Sequence, residues 1–373
     1  MRQTLAFGQI KSYHTAQRAN IEMNAESVGH HARTHQTMNI LNIGLHGVAG
    51  HQIVAHIPQL QRARVTDVAG VSKSEYAVLK SDFPEVFANT TWHPELNTML
   101  DQGAATLISF CSNRRDDQCA EAICALEAGR HVLLEKPMAT SLEDLNRLHK
   151  AWKRAGTELR TMTTMIYEPC FSGMKAIVES GAVGEVVQCY GMKSYPFYDS
   201  RPQDRGIDGG IIQAMIHAVS FIRYVTDLEF TEVFMQDTGQ GNPRNGDLQM
   251  AANLTGRLSN GALTSIVCNY CNPPGIGFWG NEQLRVHGTG GMIELTDGLT
   301  RRSLACADAA PKAFPDIAPE TSYPQDLINC ILDGSGTLLT ATDSFRNTEV
   351  VLCAGQSAAI GQPVNISDIV NDC

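Results

Sequence analysis

The sequence predicts an α/β protein whose first half is a doubly wound parallel sheet. Three observations carry this expectation. Short β-rich runs alternate with helical patterns from about Met38 onward. A glycine turn follows the first run at the point where a helix should start. The chain has 373 residues, more than one compact core accommodates and about right for two domains.

The elements follow in order. Met38-Asn-Ile-Leu-Asn-Ile-Gly44 reads as a strand ending at glycine. Gly44-Leu-His-Gly47-Val48-Ala49-Gly50 reads as a turn, and Ile53, Val54, Ile57 and Leu60 then recur at helical spacing. A second strand is expected over residues 64–72 and a third over 106–110, followed by a helix over 116–128. A strand over 131–134 and a helix over 141–155 complete the alternation. Strand–helix–strand units of this kind close right-handed and build a parallel sheet.

Composition narrows the function. Charged residues make up 18% and the net charge is -10, so there is no electrostatic footprint for nucleic acid or an anionic membrane. No apolar run reaches the roughly 18 residues a spanning helix needs. Eleven cysteines are scattered without framework spacing. The single C-x-x-C, Cys268-Asn-Tyr-Cys271, has no second ligand pair and sits where a strand enters a Pro-Pro-Gly turn, so it reads as structural and no metal is expected. The other thiols read as small buried hydrophobes of a reducing, cytoplasmic compartment. Residues 1–37 lack hydrophobic periodicity and contain His30, His31 and His35; they are expected to be a solvated extension without stable structure.

The glycine turn has a chemical use. Glycines let a backbone approach a pyrophosphate, and the following helix start offers unpaired N–H groups. Gly44, Gly47 and Gly50, with Val48 and Ala49 between the last two, are therefore expected on the cofactor side, although the spacing is not G-x-G-x-x-G. The acid that would hold a ribose diol after the second strand is missing from Gly70-Val-Ser-Lys-Ser74. Ser72 and Lys73 stand there instead. A hydroxyl and a cation suit a 2′-phosphate, which tilts the cofactor from NAD towards NADP; a solvated loop lysine is the plain alternative.

Ala125-Leu-Glu-Ala-Gly-Arg-His-Val-Leu-Leu-Glu-Lys-Pro137 closely resembles the signature of the Gfo/Idh/MocA oxidoreductases, the glucose–fructose oxidoreductase and inositol dehydrogenase family. Lys175-Ala-Ile-Val-Glu-Ser-Gly-Ala-Val-Gly-Glu-Val186 is similar to the family's opening of its second domain. Gly209-Gly-Ile-Ile-Gln-Ala-Met-Ile-His217 takes the place of its glycine-led catalytic helix, and Val286-His-Gly-Thr-Gly-Gly-Met-Ile-Glu-Leu295 resembles its late strand pair. The terminal helical pattern over 343–361 is also similar. The resemblance implies a dinucleotide-binding Rossmann domain over 38–160 and, over 161–373, a substrate and oligomerisation α/β domain with an open, mostly antiparallel sheet.

The resemblance also implies roles. Lys136 would lie near the nicotinamide, where an ammonium stabilises charge developing on a substrate oxygen, and Glu135 beside it joins the cofactor side. His217 would manage the hydroxyl proton, since histidine titrates near neutrality. The family's helix carries an acid four residues before this histidine. Here Gln213 stands there, on the same helical face, able to orient His217 but not to accept a proton. Ser220 likewise replaces a second aspartate frequent in relatives. Gln118 replaces a histidine, Asn113 is expected to contact the cofactor, and Arg114 and Arg115 either reach an anionic group or form a solvated loop. Ile166-Tyr-Glu-Pro169 departs from a further family run.

Two function classes follow. One is an NAD(P)-dependent dehydrogenase or reductase acting on a sugar, polyol or cyclitol. The other is a dinucleotide-binding member with little redox turnover, acting as a regulator or sensor; NAD-dependent glycosidase-like chemistry is a further family route. A small-molecule substrate is expected, without nucleic acid or membrane, and a homo-oligomer by family analogy.

Overall fold

The structure is a computed structural model and describes residues 39–366 apart from 51 and 308. The expectations for residues 1–37 fall outside the described residues. Six strands form the first sheet: β1 (Leu41–His46), β2 (Ala63–Ala69), β3 (Thr91–Trp92), β4 (Leu107–Phe110), β5 (His131–Leu134) and β6 (Leu159–Thr161). All pairs are parallel, in the order β3-β2-β1-β4-β5-β6. Apolar side chains fill both faces, as parallel sheets require. Phe110, Val132 and Leu134 pack on Ala122, Leu126, Leu145 and Leu148 of helices Arg115–Glu127 and Leu142–Ala155. Ile43, Leu45 and Leu133 face a second cluster that includes Ile53 and Val54.

Three local expectations change. Gly44 lies inside β1 rather than in the turn; a Cβ there would come within 2.9 Å of Ile108 Cδ1, so it is a packing glycine. The helical pattern at Ile53 is a seven-residue 3₁₀ helix, Ile53–Gln59. Pro58 has no N–H for an α-helical bond to Val54, and Leu60 N bonds three residues back to Ile57 O at 3.1 Å. The second strand stops at Ala69, because Gly70 turns the chain at φ +71°. Ser72 then caps helix Lys73–Asp82 in a capping box with Glu75.

Nine strands build the second sheet: β7 (Val186–Ser194), β8 (Phe230–Thr238), β9 (Ala251–Leu258), β10 (Leu263–Asn269), β11 (Gln283–Gly288), β12 (Gly291–Thr296), β13 (Arg301–Cys306), β14 (Ala309–Lys312) and β15 (Val364–Asn365). Their order is β14-β13-β12-β11-β7-β10-β9-β8-β15, and every pair is antiparallel except β7 with β10. Helices Ile212–Thr226 and Ala341–Ile360 cover one face. Ala341–Ile360 also packs on β6 and on Leu142–Ala155, which ties the two sheets together. The opposite face of the second sheet leaves Leu263 50% exposed on β10. Among the described residues no helix is long and apolar enough to cross a membrane. Cys268, in β10, is buried, and Cys271, in the turn beyond it, is exposed.

Candidate active site

The strand order of the first sheet reverses between β1 and β4, so a crevice opens beyond His46 and Phe110, where open α/β sheets bind ligands. Gly47 (φ +70°) turns the chain out of β1. A side chain there would meet Cys111 O at 2.2 Å, and one at Gly50 would meet Glu135 Cγ at 2.7 Å, so close approach demands both glycines. The turn is drawn tight. Gly47 N donates to Ala69 O (3.0 Å), Ala49 N to Cys111 O (2.9 Å) and Gly50 N to Val48 O (3.1 Å). Gln52 accepts from Ile53 N (3.0 Å) and donates to Gly47 O and Ser109 O, both at 3.2 Å.

Lys136 stands directly after β5, and its ammonium is 2% exposed. Nζ donates to Gln213 Oε1 at 2.6 Å and lies 3.2 Å from Glu135 Oε1. A buried cation needs such partners, because its desolvation costs several kcal/mol, on the order of what close oxygens return. Gln213 arrives on helix Ile212–Thr226, which Gly209 and Gly210 introduce at φ +89° and +64°. A Cβ on Gly209 would stand 2.7 Å from Pro137 Cδ, so only glycine lets this helix reach the Glu-Lys-Pro segment.

The donors fix the direction of the network. An ammonium only donates, so the Gln213 oxygen faces Lys136 and its NH₂ faces Tyr270 OH at 2.9 Å. Tyr270 OH then donates to Gly210 O at 3.0 Å. Gln213 thus bonds Lys136 through its oxygen and Tyr270 through its NH₂. His217, 4% exposed, follows one turn later on the same helix.

In the loop after β4, Arg115 departs from both readings of the arginines, while Arg114 fits the solvated one. Arg115 is 2% exposed and serves as scaffold: it donates to Ala49 O at 3.0 Å and to Gln118 Oε1. Gln118 Nε2 donates to Glu135 O (2.6 Å) and Pro137 O (3.3 Å). This line joins the glycine turn to the Glu-Lys-Pro segment. Arg114 pairs at the surface with Asp204 (2.7 Å) and Asp116 (3.1 Å). Asn113 Nδ2 donates to Gly70 O at 2.9 Å, so its amide holds two loops together. The Ser72 hydroxyl accepts from Glu75 N at 3.2 Å, and exposed Lys73 rests its Nζ 5.1 Å from the centre of the Trp92 ring.

Lys193, absent from the sequence reading, adds a second buried lysine. It pairs with Glu282 and lies 4.5 Å from the Tyr195 ring centre. Burial, then the charge of Lys136, push its ammonium down to about 7. Only its place on β7, opposite the Lys136 edge, gives it this company.

A dinucleotide fits these residues in two places: the glycine turn lies at the switch point, and Lys136 with Gln213 presents hydrogen-bonding groups beyond β5. The comparisons agree. Residues 38–162 match the family model described as an oxidoreductase family with an NAD-binding Rossmann fold. Residues 171–294 match the GFO/IDH/MocA C-terminal domain. The chain belongs to the Gfo/Idh/MocA family of oxidoreductases and is an NAD(P)-dependent dehydrogenase of that family. Among its relatives is the Bacillus subtilis oxidoreductase YrbE, described as uncharacterized, which is 26% identical over 259 residues, 65% of this chain and 73% of the relative. The scyllo-inositol 2-dehydrogenase (NAD(+)) of the same species is 24% identical over 266 residues, with the same coverage of 65% and 73%. A solved structure from Thermotoga maritima is 26% identical, with a TM-score of 0.80 over 87% of this chain and 100% of that one. Levoglucosan dehydrogenase, solved with NADH and levoglucosan, shares the fold at 18% identity, with a TM-score of 0.74 over 88% of this chain and 100% of that one.

Proposed function

We propose that the protein transfers hydride between a nicotinamide dinucleotide and a hydroxyl-bearing carbon of a sugar, polyol or cyclitol, with Lys136 and His217 as the working groups. The observation that carries this reading is the buried Lys136 ammonium, held by Glu135 and by Gln213, which stands one helical turn before His217 on the same helix. When bound, the nicotinamide gives or takes the hydride. Lys136 uses its remaining N–H to hold the substrate oxygen and stabilise the charge that develops there. His217 takes up or returns the hydroxyl proton. Gln213 cannot accept a proton, so it keeps Lys136 in position and leaves proton transfer to His217. The substrates for which these similar proteins are named, scyllo-inositol and levoglucosan, support the polyhydroxyl class. Following NAD(P)H absorbance across a panel of sugars, polyols and cyclitols tests this; no turnover with any of them, despite dinucleotide binding, would favour the sensor reading instead.

Cofactor preference rests on the helix start after β2. Lys73 is exposed there, no acid stands over residues 70–74, and the Glu75 carboxylate is taken by Ser72 N at 2.7 Å, which supports NADP(H), or at least no strong preference for NAD(H). Lys73→Asp is expected to shift relative affinity towards NAD(H), read by titrating reduced-dinucleotide fluorescence. Wild-type affinity for NAD(H) tenfold or more above that for NADP(H), roughly 1.4 kcal/mol, would end this reading.

The uncovered face of the second sheet, with exposed Leu263 on β10, supports a homo-oligomer that pairs this face between copies. Light scattering should give a multiple of the chain mass, and Leu263→Lys should lower it. A monomeric wild type would contradict the pairing.

A further inference from the structure

Six lysine and arginine side chains are buried among the described residues: Arg115, Lys136, Arg160, Lys193, Arg201 and Arg223. Five of them have oxygen partners in hydrogen-bonding contact. Arg115 has Ala49 O at 3.0 Å, Lys136 has Gln213 at 2.6 Å, Arg160 has Glu158 at 2.6 Å, Lys193 has Glu282, and Arg223 has Glu229 at 2.7 Å. Arg201 differs: its side-chain hydrogen bond is to Tyr198, with no carboxylate in close contact. It is 3% exposed, yet its Nε has no hydrogen-bond acceptor among the described residues, and the carboxylate paired with it, Asp208, stands 4.0 Å from Nη1.

What surrounds Arg201 is aromatic. Its guanidinium carbon lies 3.7 Å from the centre of the Tyr270 ring and 4.3 Å from that of Tyr198. Tyr198 in turn stacks on Trp279 at 5.7 Å. Stacking holds the plane of a guanidinium but satisfies none of its five N–H donors, which lie along its edge. Leaving Nε of that edge unpaired in a buried place is costly unless a further acceptor, such as an oxyanion, completes it. Asp208 competes weakly for that place. Burial raises its carboxyl above the ordinary range, and it already accepts from Gly210 N at 2.9 Å.

Arg201 also adjoins the reaction centre. The Tyr270 ring beneath it carries the hydroxyl that bonds Gln213, and Gln213 bonds Lys136. We propose that Arg201 is an anion-binding subsite of the substrate pocket, receiving the carboxylate of a ring sugar acid or cyclitol acid whose reacting hydroxyl lies at Lys136. A planar fork matches a carboxylate through two parallel bonds. A phosphate fits less well, because the other buried cations nearby are already engaged. The inference rests on the dehydrogenase reading above and narrows its substrate to the carboxylated members.

The test is a calorimetric titration of the full chain, loaded with oxidised dinucleotide. The probes are D-glucuronate, D-galacturonate, their parent hexoses and D-glucose 6-phosphate. At least one uronate should bind about tenfold or more tighter than its hexose. Arg201→Gln should erase that ratio while dinucleotide affinity stays unchanged. Asp208→Asn, which removes the competing carboxylate, should raise the ratio and does not depend on Arg201→Gln folding. The subsite is overturned by equal binding of acid and hexose, by binding of neither, by preference for the phosphate, or by a uronate preference that survives Arg201→Gln. The dehydrogenase reading stands or falls separately, on turnover and on Lys136 and His217 variants with neutral polyols.

Discussion

Lys136→Met is expected to lower kcat by about 10²–10³-fold, the range for removing one preorganised donor from a developing oxyanion. Methionine keeps most of the stem's volume, so the loss reports charge and hydrogen bonding rather than a cavity. Two further effects come from the surroundings. Glu135, 2% exposed, loses the cation 3.2 Å away, and breaking a buried pair from one side costs about 3–5 kcal/mol of stability, which chemical denaturation would register. Lys193 loses the like charge that helps hold its ammonium down to about 7, so its titration should move upward in the variant, a shift visible to NMR of a labelled lysine. Gln213→Ala should weaken turnover through Lys136, because its oxygen bonds that ammonium at 2.6 Å. Full activity of Lys136→Met with a turned-over substrate would remove the lysine from the reaction.

His217→Ala is expected to cost about 10²–10⁴-fold in kcat, the usual contribution of a general acid–base group. Its signature is the pH dependence. With an imidazole acting as base in the oxidative direction, wild-type kcat should fall as pH drops through the range in which histidine gains its proton. The variant should lose that acid limb. Dinucleotide affinity should hardly change, since the side chain sits on helix Ile212–Thr226 and not on the first sheet. Identical pH–rate curves for wild type and variant would exclude His217 as the proton carrier. These two substitutions separate the roles, because the lysine variant should lower the whole curve while the histidine variant should change its shape.

Much of the architecture is local and therefore legible along the chain. β5 occupies residues 131–134 as expected, since three consecutive apolar residues, Val132 to Leu134, behind a Gly-Arg-His run have few other fates. The helix after Ser141 starts where a hydroxyl can accept from Asp144 N and ends at Gly156 with φ +65°. Spacing misled where one residue outweighed a pattern. Pro58 turned a helical run into a 3₁₀ segment, and Gly70 ended β2 three residues before Lys73.

The sequence by itself thus determined the α/β alternation, the Glu-Lys-Pro segment at the end of β5, and the family to which these belong. Tertiary structure decided the partners. Helical periodicity put Gln213 on the His217 face, and folding brings Lys136, 77 positions away in sequence, to its oxygen, because a buried ammonium must find an acceptor. Arg115 read as loop or ligand contact, yet it lies inside, bracing Ala49 against Gln118. Arg201 gave no signal in sequence, because a buried cation whose Nε lacks an acceptor is defined by what surrounds it. Tyr198 stands three residues away, but Tyr270 comes from the end of β10, and only folding brings that ring under the guanidinium. Local pattern fixes what each segment becomes, since turns and periodicity act within a few residues. Burial decides which polar groups must meet, and that depends on segments far apart in the chain.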